Sequence, residues 1–284
     1  MTSHKDIIIR NDNNIELSAT LFIPSELKSA VMIGPATGIK RGFYHSFATY
    51  LADNGYGVIT FDYEGIGASR SGCLKTCKAS LVSWGSSDLS VVFSTLKTIF
   101  PNVKYHLVGH SAGGQLVGLM RGATELTSIF NVGCSSGCIK NMKYPFKAKA
   151  YFFMNVYIPI NNLLFGYTNT QWVGMGEPLP KKSAQQWTDW CNGKGYVENY
   201  INKNSISHCY NDLSCPSIWI NATDDDIAND KNVADMIRVF PKLKAERITI
   251  DPAAYGFKEV GHMKYFSNQK SKLWVLAKDW LDKH

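Results

Sequence analysis

The stretch "VGHSAGG", residues 108–114, sets Ser111 between Gly109 and Gly113, each two positions away. A serine hydroxyl is a weak nucleophile near neutral pH. It needs a base to take its proton and a carboxylate to orient that base. A G-x-S-x-G match alone is only a small-residue turn, so the setting decides. "KYHLVGH" reads as a strand entering the serine, and "AGGQLVGLMRG" as a helix leaving it. Such a strand–turn–helix holds the serine in a strained backbone at the top of a sheet, with its hydroxyl exposed. Neighbouring backbone passes close on both sides, which is why the flanking positions are glycines. The first amides of the helix then face any anion that develops on a substrate.

On a sheet of this kind the chain order is serine, acid, histidine. Of seven histidines, His4, His45, His106 and His110 precede the serine, His208 falls before a late strand, and His284 is the last residue. His262, in "EVGHMKYF", follows the last strand in a loop before the final helix, where the base belongs. The acid should follow the strand "PSIWINA", and "TDDDIAND" supplies Asp224, Asp225 and Asp226 in a row. Charge repulsion disfavours burying more than one of them. Asp225 is preferred, and the other two stay open. A second oxyanion donor should come from the loop after "AVMIG". Pro35 has no N–H to give, so the Thr37 amide is expected to act with that of Ala112, while Gly38 permits the tight turn.

These groups need a scaffold. Strands are expected at 6–10, 15–23, 30–34 and in "YGVITFDY", "KYHLVGH", "LTSIFNVGC", "PSIWINA" and "ERITID". Between them lie helical stretches. "GFYHSFATYLADNGYG" puts Phe43, Phe47, Tyr50 and Leu51 on one face, and "SDLSVVFSTLKTIF" offers Ser87 and Asp88 as N-caps. Further helices are expected from about Asp230 to Phe240 and from about Asn268. Strands alternating with helices imply an α/β fold, with a mostly parallel sheet covered on both faces. The rhythm fails from Ser135 to Asn211, an aromatic-rich stretch broken by Pro145, Pro159, Pro178 and Pro180. The expected organisation is a core, 1–134 and 212–284, with 135–211 inserted over the carboxyl edge of the strands.

Together these segments resemble the α/β-hydrolase superfamily over nearly the whole chain. "PATGIKRGFYHSFATYLADNGYGVITFDYEGIGAS" looks like its oxyanion-loop strand, first helix and D-x-x-G-x-G-x-S segment. "VGHSAGGQLVGL" looks like its nucleophile elbow, "CPSIWINATDDDIAN" like its acid strand and "VGHMKYF" like its histidine loop. The nearest likeness is to predicted bacterial serine hydrolases of the serine aminopeptidase and monoglyceride lipase-like group, and it places the acid at Asp225. Two positions depart from the wider pattern. Pro35-Ala36 stands where His-Gly is frequent, and Glu64 where an arginine is usual, which puts local surface pairing in question rather than catalysis. The resemblance makes 135–211 a cap. Of its aromatics, Tyr151, Phe152, Phe153, Tyr157, Phe165, Tyr167, Trp172, Trp187 and Trp190, most should fill the cap's own core and some should line an apolar pocket over Ser111. Cys134, Ser135 and Ser136 are candidates for the pocket floor.

Composition narrows the class further. With 45% hydrophobic and 19% charged residues the chain is an ordinary globular protein. No secretory leader is apparent, and the most apolar stretch, 150–167, is too broken by asparagine and proline to span a bilayer. A cytoplasmic protein with seven reduced, scattered cysteines is expected. The Cys73/Cys77 and Cys134/Cys138 spacings fall within the loose range for zinc, but one pair sits in a polar loop and the other follows a strand, so no metal or organic cofactor is implied. The net charge of +7 forms no run of five. No nucleic-acid module accompanies it. It reads as a solvated basic surface, with an anionic substrate or a membrane surface as the other use. The expected function is a serine hydrolase that cleaves an ester or thioester of a small or medium apolar acyl substrate through an acyl-enzyme. An acyltransferase on the same site and a silent binding protein are the alternatives. Oligomeric state is open.

Overall fold

The computed structural model describes residues 2–284. Eight strands form one sheet: β1 (Ser3–Arg10), β2 (Glu16–Ile23), β3 (Ser29–Gly34), β4 (Tyr56–Phe61), β5 (Lys104–His110), β6 (Ser128–Val132), β9 (Pro216–Ala222) and β10 (Lys244–Ile250). Their spatial order is β1-β2-β4-β3-β5-β6-β9-β10. The β1–β2 and β2–β4 pairs are antiparallel, and every pair from β4 to β10 is parallel. The two-residue strands β7 (Tyr167–Thr168) and β8 (Leu179–Pro180) form a separate antiparallel pair in the insertion.

Period-2 alternation divides the central strands between two cores. Met32, Ile59, Leu107 and Ile129 face one side, where Trp84, Val92 and Leu96 cover them. Val31, Val58, Val108 and Phe130 face the other, under Phe47, Leu51, Tyr265 and Trp274. With both faces buried, β3 and β4 need no polar residues facing solvent, and their largely apolar runs follow from that. The edge strand β10 instead exposes Lys244, Glu246 and Arg247, a charged border that discourages further strand pairing.

Several helical boundaries differ from expectation. Ser87 and Asp88 do not begin a helix. The helical run extends over 81–99, is capped by Ser80 in a reciprocal capping box with Ser83, and passes through a π-turn at Trp84–Leu89. Ser87 Oγ instead accepts from the Asp12 amide, and the buried Asp88 carboxylate accepts from the Glu64 amide and Asn11 Nδ2. Phe43 lies in a 3-10 turn, Arg41–Tyr44, ahead of the helix His45–Asp53, and is exposed. The helix after Ser111 is only Ala112–Gln115 before a 3-10 turn, Val117–Leu119, in which Gly118 passes against the Tyr210 ring. The segment between β6 and β9 holds a helical run over 146–164, the helix Lys181–Cys191 and the β7–β8 pair.

Candidate active site

Ser111 sits at the end of β5 with φ +48° and ψ −113°, a backbone region that a residue with a Cβ enters only under tertiary constraint. Glycine makes the turn possible. A Cβ on Gly113 would stand 2.0 Å from the Gly34 carbonyl oxygen, and one on Gly109 would stand 2.5 Å from Gly114 Cα. The elbow is therefore wedged between β3 and its own following turn, and the serine side chain is the part left half-exposed.

From Ser111 a relay runs across three strand ends. His262 Nε2 lies 3.1 Å from Ser111 Oγ, and His262 Nδ1 lies 2.8 Å from Asp225 Oδ2. The other oxygen of Asp225, Oδ1, accepts from the Ile227 and Ala228 amides at 2.9 and 2.8 Å. With Nδ1–H donating to the carboxylate, Nε2 is free to accept from the serine. Burial works against a charge on His262, but the adjacent Asp225 carboxylate and its hydrogen bond outweigh that, and the imidazole pKa stands above its ordinary value. Burial likewise opposes charge on Asp225. His262 and the two amides reverse the balance and hold the carboxyl below its ordinary range.

The three adjacent aspartates have three different environments. Asp225 is buried against His262. Asp224 turns the other way, and its two oxygens accept from the Val260 and Gly261 amides, both at 2.9 Å. Asp226 is exposed. Asp224 thus grips the backbone immediately before the base. Nothing in a run of three like residues distinguishes a partner of the ring from a partner of the loop.

His110 is a second feature that the sequence reading left aside. Its ring is buried, with Nδ1 2.8 Å from Tyr44 Oη and Nε2 3.0 Å from the His262 carbonyl oxygen. Tyr44 Oη also accepts from the Ala36 amide at 2.9 Å. The bonding is consistent in one direction only. The phenol donates to Nδ1, and Nε2–H donates to the carbonyl. Burial pushes the His110 pKa down to about 3, so the ring is neutral. The loop after β3 and the backbone of the base are thereby tied through two buried side chains. Neither the Thr37 amide in that loop nor the Ala112 amide that follows Ser111 donates to another group among the described residues, and Thr37 lines the same cavity as Ser111.

A cavity of about 560 Å³ opens over Ser111. Ala36, Thr37, Gln115 and His262 border its floor, and the insertion supplies most of the wall, including Phe146, Phe152, Phe153, Tyr157, Met175 and Trp187. Cys134, Ser135 and Ser136 do not form that floor. The Cys134 thiol packs beneath the elbow, 3.4 Å from the Gly109 carbonyl, the Ser135 carbonyl accepts from Gln115, and Ser136 Oγ donates to Asn232. Gly137 reaches the cavity instead. Of the insertion's aromatics, Trp190 packs internally on Tyr196, while Tyr151 and Trp172 are exposed. A wider, more open groove beside Arg41 and Asp62 does not include Ser111.

Glu64 does not stand in a surface pair. It is buried, its carboxylate accepts from Asn11 Nδ2, and its carbonyl accepts from the Trp84 indole. In the same segment, Asp62 accepts from the Arg41 and Ala68 amides, and Ser69 Oγ donates to the Asp62 carbonyl. This turn braces β4 and carries no group into the cavity.

Comparison with solved structures gives the fold its name. A soluble variant of monoglyceride lipase from Saccharomyces cerevisiae superposes with a TM-score of 0.69 at 18% identity, over 100% of this chain and 96% of that one. This chain has the α/β-hydrolase fold. An esterase from Pyrococcus furiosus is similar with a TM-score of 0.65 at 16% identity, covering 99% and 91% of the two chains. A hypothetical protein from Pseudomonas aeruginosa matches with a TM-score of 0.62 at 12% identity, covering 100% and 94%. Residues 25–160 match the serine aminopeptidase (S33) family model. No curated protein sequence matches significantly.

Proposed function

We propose that this protein, with its α/β-hydrolase fold, is a serine hydrolase that cleaves a carboxylic ester or thioester of a small or medium apolar acyl substrate through an acyl-enzyme. The observation that carries the reading is the Ser111–His262–Asp225 relay opening into an apolar cavity. In the first step Ser111 Oγ bonds to the substrate carbonyl carbon as its proton passes to His262 Nε2. Asp225 steadies the imidazolium that results. The free amides of Thr37 and Ala112 are the donors for the tetrahedral oxyanion. His262 then returns the proton to the departing alcohol or thiol, leaving an acyl-serine. In the second step water attacks that ester, His262 takes its proton, and Ser111 leaves with the proton restored. Segment 135–211 acts as the cap that shapes the acyl pocket. The esterase and lipase named among the similar structures support ester chemistry on this scaffold.

A series of p-nitrophenyl esters of increasing acyl length tests the reading, run beside Ser111→Ala. Hydrolysis that peaks at short or medium chains and vanishes in Ser111→Ala is expected, together with fluorophosphonate labelling of the intact protein alone. Equal labelling of both proteins, or no turnover of any ester or thioester, overturns it.

A further inference from the structure

The helical run 146–164 is apolar on both of its sides. Phe153, Met154 and Ile158 are buried against the rest of the molecule. Along the opposite side Tyr151, Phe152, Ile160, Leu163 and Leu164 face solvent, with Leu163 82% and Leu164 68% exposed. A helix of this composition is ordinarily enclosed on all sides. Trp172, 66% exposed, extends the patch by packing edge-on against Phe165. Single exposed apolar residues are common, but a contiguous group of this size marks a contact surface.

Charge narrows what covers it. Between residues 139 and 175 the sequence holds Lys140, Lys143, Lys147 and Lys149 and no aspartate or glutamate. None of these four lysines forms an ion pair among the described residues. A second copy placed patch to patch would bring the two lysine groups together without a compensating carboxylate, so self-association is disfavoured. An anionic lipid surface satisfies both halves of the patch, because lysine stems lie along apolar matter while their ammonium groups reach phosphates. Phe152 and Val173 are exposed in the patch and also line the cavity over Ser111, so the cavity opens within this surface. No helix among the described residues is long and apolar enough to cross a membrane, which makes the contact peripheral.

We infer that the outer face of 144–173 docks this protein onto anionic lipid surfaces, with the mouth of the cavity turned toward the lipid. The docking face stands on exposure and charge and does not depend on ester hydrolysis.

Co-sedimentation of the full chain with vesicles tests it, comparing phosphatidylcholine alone with mixed phosphatidylcholine and phosphatidylglycerol. Binding to the mixed vesicles is expected to exceed binding to phosphatidylcholine by about tenfold or more and to weaken as salt rises. Leu163→Asp/Leu164→Asp and Lys143→Glu/Lys147→Glu should each lower the affinity about tenfold, whereas Lys242→Glu/Lys272→Glu, elsewhere on the surface, should change it less than about twofold. Unchanged circular dichroism and unchanged turnover of a soluble short-chain ester show that the variants fold. Absence of binding to the mixed vesicles overturns the inference. So does an equal loss in the distant lysine pair, or a dimer in sedimentation equilibrium that Leu163→Asp/Leu164→Asp disperses. If no ester is turned over while lipid binding persists, the hydrolase reading fails and the docking face stands.

Discussion

On the core side of the cavity, the groups around Ser111 are held by buried partners: two amides on Asp225, two more on Asp224, and Tyr44 with His110 under the base. On the insertion side, the wall is a set of large apolar side chains with few directional bonds, and the helix behind it turns further apolar residues to water. Hydrogen bonds to buried groups fix geometry to tenths of an ångström, because leaving one unmade is costly. Apolar packing fixes volume and leaves identity adjustable. In the proposed hydrolase, one side of the cavity would hold the reacting groups and the other would accept a range of acyl shapes.

The sharpest way to break this contrast is within the relay. Ser111→Ala and His262→Ala should each lower kcat for the best ester by about 10⁴-fold or more with the thermal midpoint little changed, and Asp225→Asn should approach the same loss. Steady-state kinetics beside calorimetry checks this. Asp224→Ala should cost less, about 10- to 100-fold in kcat/KM, since it loosens the loop and leaves the proton path intact. An Asp224→Ala variant as inactive as Asp225→Asn would show that the two carboxylates are not distinct in role. On the insertion side, Trp187→Ala should alter turnover only a few-fold while moving the preferred acyl length upward, read from the ester series.

Two pH experiments extend the comparison. The proposed mechanism requires neutral His262, whose pKa is raised, so kcat/KM should climb with pH through an ionisation above the usual histidine value of about 6.5. The same raised pKa stabilises the fold below the unfolded-state value and loses that contribution as pH rises through the folded one. Asp88 gives the smallest effect. Burial lifts its carboxyl to about 7. A carboxyl raised in the folded state binds its proton more tightly there, so the fold loses stability as pH climbs from about 4 toward 7. The thermal midpoint of the wild type should fall by several degrees over that window, and Asp88→Asn should flatten the fall.

The sheet was readable because its strands are buried on both faces, which forces uninterrupted apolar runs such as "AVMIG" and "GVITF" bounded by turns. The elbow was readable because close backbone approach tolerates only glycine at 109 and 113. Asp225 was legible only as one of three, since residue type does not report which way a side chain turns. His110 was missed for a different reason. Its ring joins Tyr44 on one side to a backbone carbonyl 152 residues away on the other, and such long-range bonds leave no local pattern. The insertion was least legible because exposed and buried aromatics have the same letters. Trp172 and Trp190 look alike in the chain, yet one meets solvent and the other meets Tyr196.

His262 stands 151 residues after Ser111, beyond three further parallel strands, β6, β9 and β10. During synthesis the elbow therefore emerges long before anything can draw the proton from Ser111, and an incomplete chain carries an inert serine. On the proposed mechanism, reactivity should appear only when β10 has docked and the loop behind it has closed on Asp224. Recovery of turnover after denaturation should accordingly be the last signal to return, trailing tryptophan fluorescence, and any clip in the 251–262 loop should silence a molecule that still looks folded.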